Sequence, residues 1–507
     1  MIDVTSYEVV ITSDRTMMSN HHGKEFLGFL ATGPAVGLPE KLWMWLAAPK
    51  IKVDGEGRPI EAPYGLRKIE AKLIDAGFRA AVIDPDHIHK HLDGMKVLMV
   101  GHHDFFAYGP PSNEWWLITG EEPVNRLSFM RFMRSETVRK AKAKGVKVIA
   151  GGPAAWQWLW ELDFWRECGI DVVVDGEAER VIVDLVRKAL DGEELPNYVF
   201  VGPADTPSID EIPVIKAASV NGLIEVMRGC PRGCKFCSVT LRPLRFIPLD
   251  KIEKEILVNI KSGITNAILH SEDVLLYGGD GIKPRPEAVI KLHEMVRKHV
   301  KGSIAWSHAS LASIKYAEDN FKLISRLASE YLLTEGQNFL GVEVGIETGS
   351  PRLAEIIMPA KSAPYPASMW PEVVEDSFRI MHENTIIPAA TLIIGLPGEN
   401  SYDVVKTAEL IDKLRPYRSI IVPMFFVPMG VLKNRDWFKK QYLTSDHIDL
   451  MIRIVNHTLY WAEDIMNKFY LREPYLTPLR FLLKLFIQYV KWRLSRLVPV
   501  IEATTHR

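Results

Sequence analysis

Cysteine is scarce in this chain: 507 residues hold only four. With three of the four grouped at one site, no disulfide framework is left, so a reducing, cytoplasmic setting is expected. Charge of one sign is lacking too. The 62 Lys and Arg are cancelled by 63 Asp and Glu, and the formal net charge of −1 points to no polyanionic partner such as nucleic acid. No uncharged apolar run approaches the roughly 20 residues that a bilayer span needs. The opening Met1-Ile-Asp-Val-Thr-Ser-Tyr-Glu8 has no basic region followed by an apolar stretch, so no signal peptide is expected. What is present fits a globular protein with room for two or three domains: 47% of residues are hydrophobic and 25% charged.

Three of the cysteines fall in one stretch, Arg228-Gly-Cys-Pro-Arg-Gly-Cys-Lys-Phe-Cys-Ser238. The spacing of Cys230, Cys234 and Cys237 lets three thiolates converge on one small object. Thiolates are soft ligands and suit iron–sulfur clusters or zinc. A structural zinc site would want four ligands, and no second Cys/His pair follows at zinc-finger spacing. Three ligands on a cubane leave one iron open. The segment, with aromatic Phe236 before the last cysteine, resembles the signature of radical S-adenosylmethionine (SAM) enzymes. That resemblance implies a [4Fe–4S] cluster on the three cysteines, with SAM bound to the open iron through its amino and carboxylate groups. It also implies one-electron cleavage to methionine and a 5'-deoxyadenosyl radical, and a reductant partner such as ferredoxin or flavodoxin. Cys168, in Glu167-Cys-Gly169, reads as packing.

Ahead of the cysteine loop the pattern alternates strand and helix. Strands are expected at 7–12, 78–83, 96–100, 146–150 and 170–174, and helices at 66–77 and 137–144. Short β-rich runs separated by helices predict a Rossmann-like, doubly wound parallel sheet over residues 1–195. "Gly151-Gly-Pro153" after one strand and "Asp175-Gly-Glu-Ala-Glu179" after the next resemble the cobalamin-binding-type domain that precedes many radical SAM barrels. The Asp-x-His-x-x-Gly loop through which some cobalamin proteins ligate cobalt is missing, and the resemblance admits cobalamin without requiring it. Asn20, His21 and His22 lie in the polar loop after the first strand. His87, His89, His91, His102 and His103 are candidate metal ligands or surface histidines. The dense aromatic residues, including Phe105, Phe106, Trp115, Trp116, Trp156, Trp158 and Trp160, are expected to pack the core or line an apolar cavity.

A Pro- and Asp-rich linker, 196–220, leads to a partial (β/α)6 barrel expected over 221–430. Leu223-Ile-Glu-Val-Met227 is its first strand, with the cysteine loop at the carboxyl end, where βα barrels keep their chemistry. A helix over 251–261 and a strand over 267–270 lead to Ser271-Glu-Asp273. The family usually has a Gly-Gly-Glu-like motif there that holds the SAM amino group. Ser271, Glu272 and Asp273 depart from it but keep an acid. Ser307 and His308 sit at the mouth of a third strand. Gly341-Val-Glu-Val-Gly-Ile-Glu-Thr-Gly-Ser350 resembles the family's "GIESGS" strand and makes Glu347 and Thr348 candidate SAM contacts. Met358-Pro-Ala-Lys361 follows the family pattern. Gly395-Leu-Pro-Gly-Glu399 matches its "GLPGE" loop and adds Gly395 and Pro397, and residues 419–428 give a last strand.

Residues 431–507 are expected to be helical. The stretch 476–498 is apolar and aromatic, with Arg480, Lys484, Lys491, Arg493 and Arg496 and no acid. It suits either an interfacial helix at the inner face of a membrane or a helix docked on the barrel. The resemblance implies an enzyme whose radical opens an unactivated C–H bond. With cobalamin it passes a methyl group to a soluble or peptide substrate; without it the radical closes rings or joins carbons. The layout is also similar to archaeal enzymes that form rings or crosslinks in membrane lipids, and with the apolar tail this leans the expectation towards a lipid. A non-catalytic iron–sulfur redox or sensor protein is the alternative of another class, and Glu272, Glu347 and the 395–399 loop argue against it.

Overall fold

The computed structural model describes residues 6–24, 27–35, 39–471 and scattered positions between 474 and 492. The chain divides into two compact units, 1–224 with 247–267, and 225–246 with 268–507.

The first unit is built on six strands: β1 (Val9–Thr12), β2 (Ala80–Val82), β3 (Val97–Gly101), β4 (Lys147–Gly151), β5 (Val172–Asp175) and β6 (Tyr198–Phe200). Their order is β2-β1-β3-β4-β5-β6, and every neighbouring pair is parallel. Strand side chains alternate between faces, and here both faces are buried. Val10, Leu98 and Val148 join one apolar cluster, which contains Phe105, Phe106, Phe129 and Trp158. Val9, Ile11, Met99 and Ile149 join the other, with Leu66 and Leu73 of the helix Tyr64–Asp75 and Leu185 and Val186 of the helix Ile182–Asp191. This is the expected doubly wound sheet. Its order reverses between β1 and β3, the switch point where such sheets leave a crevice at the strands' carboxyl ends.

Two boundaries differ from the sequence expectation. β6 falls inside the stretch expected to be linker, because Tyr198-Val-Phe200 pairs in register with Val173–Asp175. The helix Leu249–Lys261, expected with the barrel, groups with the first unit. Its Glu255 receives Lys68 Nζ at 2.5 Å, Tyr64 Oη at 2.7 Å and the Ile215 amide at 3.1 Å.

From the boundary of the second unit onwards, β7 (Leu223–Glu225), β8 (Met227–Arg228), β9 (Arg245–Phe246), β10 (Ala267–His270) and β11 (Ile304–Trp306) are followed by β12 (Leu340–Glu347), β13 (Ile386–Ile394) and β14 (Ile420–Phe425). β11-β10-β7 form one three-stranded sheet and β12-β13-β14 another. A single parallel bridge between His308 and Glu343 joins them, which gives the six-strand run of the partial barrel. Helices, among them Pro286–His299, Trp370–Glu383 and Ser401–Lys413, connect the strands.

The carboxyl-terminal expectation needs correction. Helix does not run continuously over 431–470. A long helix begins only at Ser445, where Thr444 and His447 form a capping box, and reaches Ile465. Phe438 packs on Phe425 instead, with ring centroids 5.2 Å apart. The tail 476–498 lies largely outside the described residues. Among the described residues no helix is long and apolar enough to cross a membrane.

Candidate active site

The cysteine loop leaves β8 and returns along β9, its antiparallel partner. Gly229 sits where the loop's two ends cross. Its φ is +82°, and a Cβ there would lie 2.5 Å from the Pro243 carbonyl oxygen, so glycine is required on both counts. Thr240 Oγ1 donates to the carbonyls of Cys234 and Cys237, at 3.2 and 2.9 Å. The Lys235 amide donates to the Ile357 carbonyl and the Val431 amide to the Lys235 carbonyl. At Gly430, φ +59°, a Cβ would meet the Cys237 carbonyl at 2.7 Å.

Beneath the loop, buried Arg232 donates through Nη1 to the carbonyls of Lys361 and Ala363, both at 2.9 Å, and through Nη2 to Ser313 Oγ at 2.7 Å. Ser313 Oγ in turn donates to Asp273 Oδ2 at 2.6 Å. Three separate segments are thereby tied to the cysteines.

All three thiols are free. Burial pushes Cys230 up to about 12 and Cys237 up to about 11, and raises Cys234. Cys230 and Cys237 both feel the charge of Cys234, which places them near it on the loop. Beside them Lys361 Nζ donates to Glu347 Oε1 at 2.7 Å. Burial works against the Lys361 charge, but Glu347 outweighs it, helped by Cys234 and Cys230, and holds the ammonium. Glu347 has φ +61° at a β-bulge, an uncommon conformation for a residue with a side chain and one that clusters at functional sites.

Residues 224–411 match the Radical SAM superfamily. The chain carries a radical SAM domain. It is 31% identical over 200 residues to an uncharacterised protein of Methanopyrus kandleri, covering 37% of this chain and 34% of that one. It is 22% identical over 299 residues to the tRNA-2-methylthio-N(6)-dimethylallyladenosine synthase of Orientia tsutsugamushi, covering 58% and 62%. The chain thus spans about a third of one of these relatives and under two thirds of the other. Among solved structures it is similar in fold to the radical SAM methyltransferase TsrM from Kitasatospora setae, with TM-score 0.52, 14% identity, and 83% and 73% of the two chains covered.

The radical SAM domain implies a [4Fe–4S] cluster and SAM, and the donor set fits them. Three thiols without disulfides, one buried and two half-buried, share a loop, and Lys361 lies close to Cys234 and Cys230. Among the described residues no three His, Cys, Asp or Glu side chains converge as ligands of one ion. Thiolates on three different irons of a cubane need not. Glu272 lies near enough to Cys237 to raise its pKa, and among the described residues its carboxylate accepts no hydrogen bond. It is open to an ammonium.

The other expected residues of the domain are placed as follows. Phe236 is half-buried between Cys234 and Cys237. Ser271 is buried, its amide donating to Ser307 Oγ at 3.1 Å. Asp273 lies fully buried under the loop. Thr348 Oγ1 accepts from the Ser350 amide and contacts Thr407 Oγ1, within a scaffold that includes Ser350 and Asp403. Gly395 and Pro397 belong to a loop whose Gly395 amide donates to Glu399, itself bonded to His447, and Phe438 covers Gly395. Lys361 and Gly430 are site residues that motif spacing alone did not assign a role.

In the first unit, the candidate histidines are engaged by the chain itself. His102 Nδ1 accepts from the Asp104 amide, and its Nε2 lies 3.0 Å from Asp14 Oδ1. Burial opposes the Asp14 charge, but His102, Ser128 and Thr16 outweigh it and hold the carboxyl at about 2. His103 Nδ1 meets Met17 Sδ at 2.9 Å, and burial keeps its ring neutral, at about 3. His87, His89 and His91 meet Asp84, the Asp86 carbonyl and the Glu56 carbonyl. His21 and His22 meet the carbonyls of Ala47 and Trp45, and Asn20 donates to Glu61. These side chains do not fit a histidine-ligated cobalt. Cys168 is buried packing, its thiol pushed up to about 12. Phe105, Phe106 and Trp158 are core, and Trp115 and Trp160 are exposed.

Proposed function

We propose that this chain is a radical SAM enzyme that functionalises a C–H bond. The observation that carries the reading is one loop that holds Cys230, Cys234 and Cys237 close to the Lys361–Glu347 pair and to the open carboxylate of Glu272. When bound, the cluster supplies one electron for the reductive opening of SAM. The protein's own parts bind and orient. Cys230, Cys234 and Cys237 hold the cluster, and Thr240, Gly430 and Arg232 fix the loop that carries them. Lys361 offsets negative charge at the thiolates. Glu272 takes the SAM ammonium.

Two second steps were expected. Methyl transfer assisted by cobalamin draws support from the likeness to the Kitasatospora methyltransferase and from the β1/β3 switch point, where buried Ser13 Oγ has no partner. Ring or C–C bond formation in a membrane lipid drew on the tail and on the aromatic first unit. Trp158 has proved to be core, and the names of the relatives reported above do not concern lipids. Methyl transfer is therefore the reading we adopt, with the tail's membrane association a separate proposal.

Anaerobic purification with reconstituted iron, followed by visible spectra with and without cobalamin, tests both levels. Reduction in the presence of SAM should yield 5'-deoxyadenosine, and Glu272→Ala should weaken SAM binding about tenfold, the worth of one charge-assisted hydrogen bond. A loaded cluster that binds no SAM would leave the redox or sensor class standing. A loaded, SAM-cleaving protein that takes up no cobalamin would refute the methyl-transfer step.

A further inference from the structure

The polar groups of the barrel interior lie outside the cysteine loop. The Val226 amide donates to the His270 carbonyl, Ser307 to Leu269, Glu343 to Ser307 and Ala309 to Glu343, so the ends of β7, β10 and β11 and the middle of β12 lie side by side. On β12, Leu340, Val342, Val344 and Ile346 bury one face, and Gly341, Glu343 and Gly345 occupy the other. That second face lines the lumen; Gly341 leaves room on one side of Glu343, while the space over Gly345 is filled by Glu347 and Lys361.

The charge state of His308 follows from its partners. Nε2 lies 3.0 Å from Glu343 Oε2 and Nδ1 3.2 Å from Ser307 Oγ. Ser307 spends its one proton on the Ser271 carbonyl, so towards His308 it can only accept. His308 is therefore placed to donate from both nitrogens, an arrangement that favours the imidazolium. Burial opposes that charge, and the Glu343 carboxylate, with Glu272, outweighs it. Yet 40% of the His308 side chain and 45% of the Glu343 side chain remain accessible. A pair with a buried pair's electrostatics and that much open surface is within reach of a ligand.

His270 stands edge-on to His308, ring centroids 6.4 Å apart. Burial first, and then the His308 and Arg228 cations against Glu225 and Glu272, keep it neutral. Among the described residues neither of its ring nitrogens makes a hydrogen bond, and it is only half-buried. Of the charges around it, Glu225 pairs with Arg228 at 2.7 Å and Glu343 with His308, and Glu272 is the carboxylate assigned above to the SAM ammonium. What is left for a ligand is one neutral imidazole, with one N–H and one acceptor nitrogen.

We propose that this lumen binds the reacting part of the substrate through a neutral hydrogen-bonding group, an N–H or O–H of an amide, alcohol, phenol or azole, seated between His270 and the His308–Glu343 pair. A bare hydrocarbon would strip water from all three and return no hydrogen bond. The proposal rests on the radical SAM reading and names the substrate class for it.

Diethyl pyrocarbonate, which acylates accessible neutral imidazoles, tests it on the full-length protein, with sites read by peptide mass analysis. His270 should react while His308 does not. His293, fully buried with Nδ1 on the Val289 carbonyl and Nε2 on Trp306, is the internal negative control. Phenol and benzamide should slow the His270 reaction about fivefold more than anisole and toluene of similar size, the worth of one net hydrogen bond. An unreactive His270, or equal protection by toluene and phenol, would overturn the proposal. Cluster absorbance and SAM binding are measured on the same sample before the reagent is added. Failure of the radical SAM reading therefore shows there, and failure of the lumen assignment shows in the acylation pattern.

Discussion

Two glycines on the lumen face of β12 make a matched pair. At Gly345 a Cβ would land 2.0 Å from Glu347 Oε1 and 2.6 Å from Lys361 Nζ. At Gly341 the nearest atom, Tyr470 Oη, is 3.7 Å away, an ordinary contact. Neither glycine has a positive φ. Alanine should therefore gain about 0.5–1 kcal/mol at either site from reduced backbone entropy loss. In Gly345→Ala the methyl group also displaces the Lys361–Glu347 pair, whose side chains are 14% and 8% exposed. Breaking a pair so buried costs about 3–5 kcal/mol. Glu347 is pinned by its left-handed backbone and cannot easily carry its carboxylate elsewhere. The expected balance is a loss of about 2–4 kcal/mol for Gly345→Ala, and no loss for Gly341→Ala. Urea unfolding of the two variants, paired with SAM affinity after cluster reconstitution, measures both. The argument fails if the two alanine variants match within about 0.5 kcal/mol, the ordinary scatter of surface substitutions, and bind SAM equally.

Further outcomes are expected. Alanine at Cys230, Cys234 or Cys237 should abolish the cluster absorbance, while Cys168→Ala should keep it; the opposite pattern would reassign the ligands. His293 has its pKa lowered by burial to about 4. The unfolded chain takes up a proton there that the folded chain refuses. Its contribution is complete above about pH 6.5 and drains away as pH falls towards 4, about 3 kcal/mol in all. His293→Gln should flatten that slope in urea midpoints, and an unchanged slope would place the dependence elsewhere. The tail, whose Phe481, Leu485 and Trp492 are exposed, should carry the protein down with anionic vesicles at low salt and release it as salt rises, each cation contributing about 1 kcal/mol. Salt-independent or absent sedimentation would exclude an electrostatic interfacial role.

The strands read most directly from sequence are those buried on both faces. β3, β4 and β5 are short apolar runs, and pairing moved their expected ends by only a residue or two. β6 was hidden because Pro196 and Pro203 flank three residues whose strand character comes from pairing with β5. The stretch before Ser445 has apolar residues at helical spacing, but Phe438 is spent on Phe425 and Gly395, contacts that no local pattern encodes. The cysteine spacing was legible because all three ligands share one loop. Lys361 and Gly430 act on that loop from far along the chain, and only the closed barrel brings them to it. His270 and Glu343 were concealed differently: each is a polar residue inside an apolar strand, and which face it takes depends on closure.

Among the described residues a single β-bridge, between His308 and Glu343, pairs the barrel's two three-stranded sheets. The amides of Glu343 and Ala309 that stitch this seam should exchange with solvent sooner than those in the middle of β13, which is paired on both sides. The two residues of the seam are also the two that form the lumen's ion pair. A guest that competes for either side chain thus pulls on the joint itself, and occupancy of the lumen becomes readable as a change in how tightly the two half-barrels are sewn together.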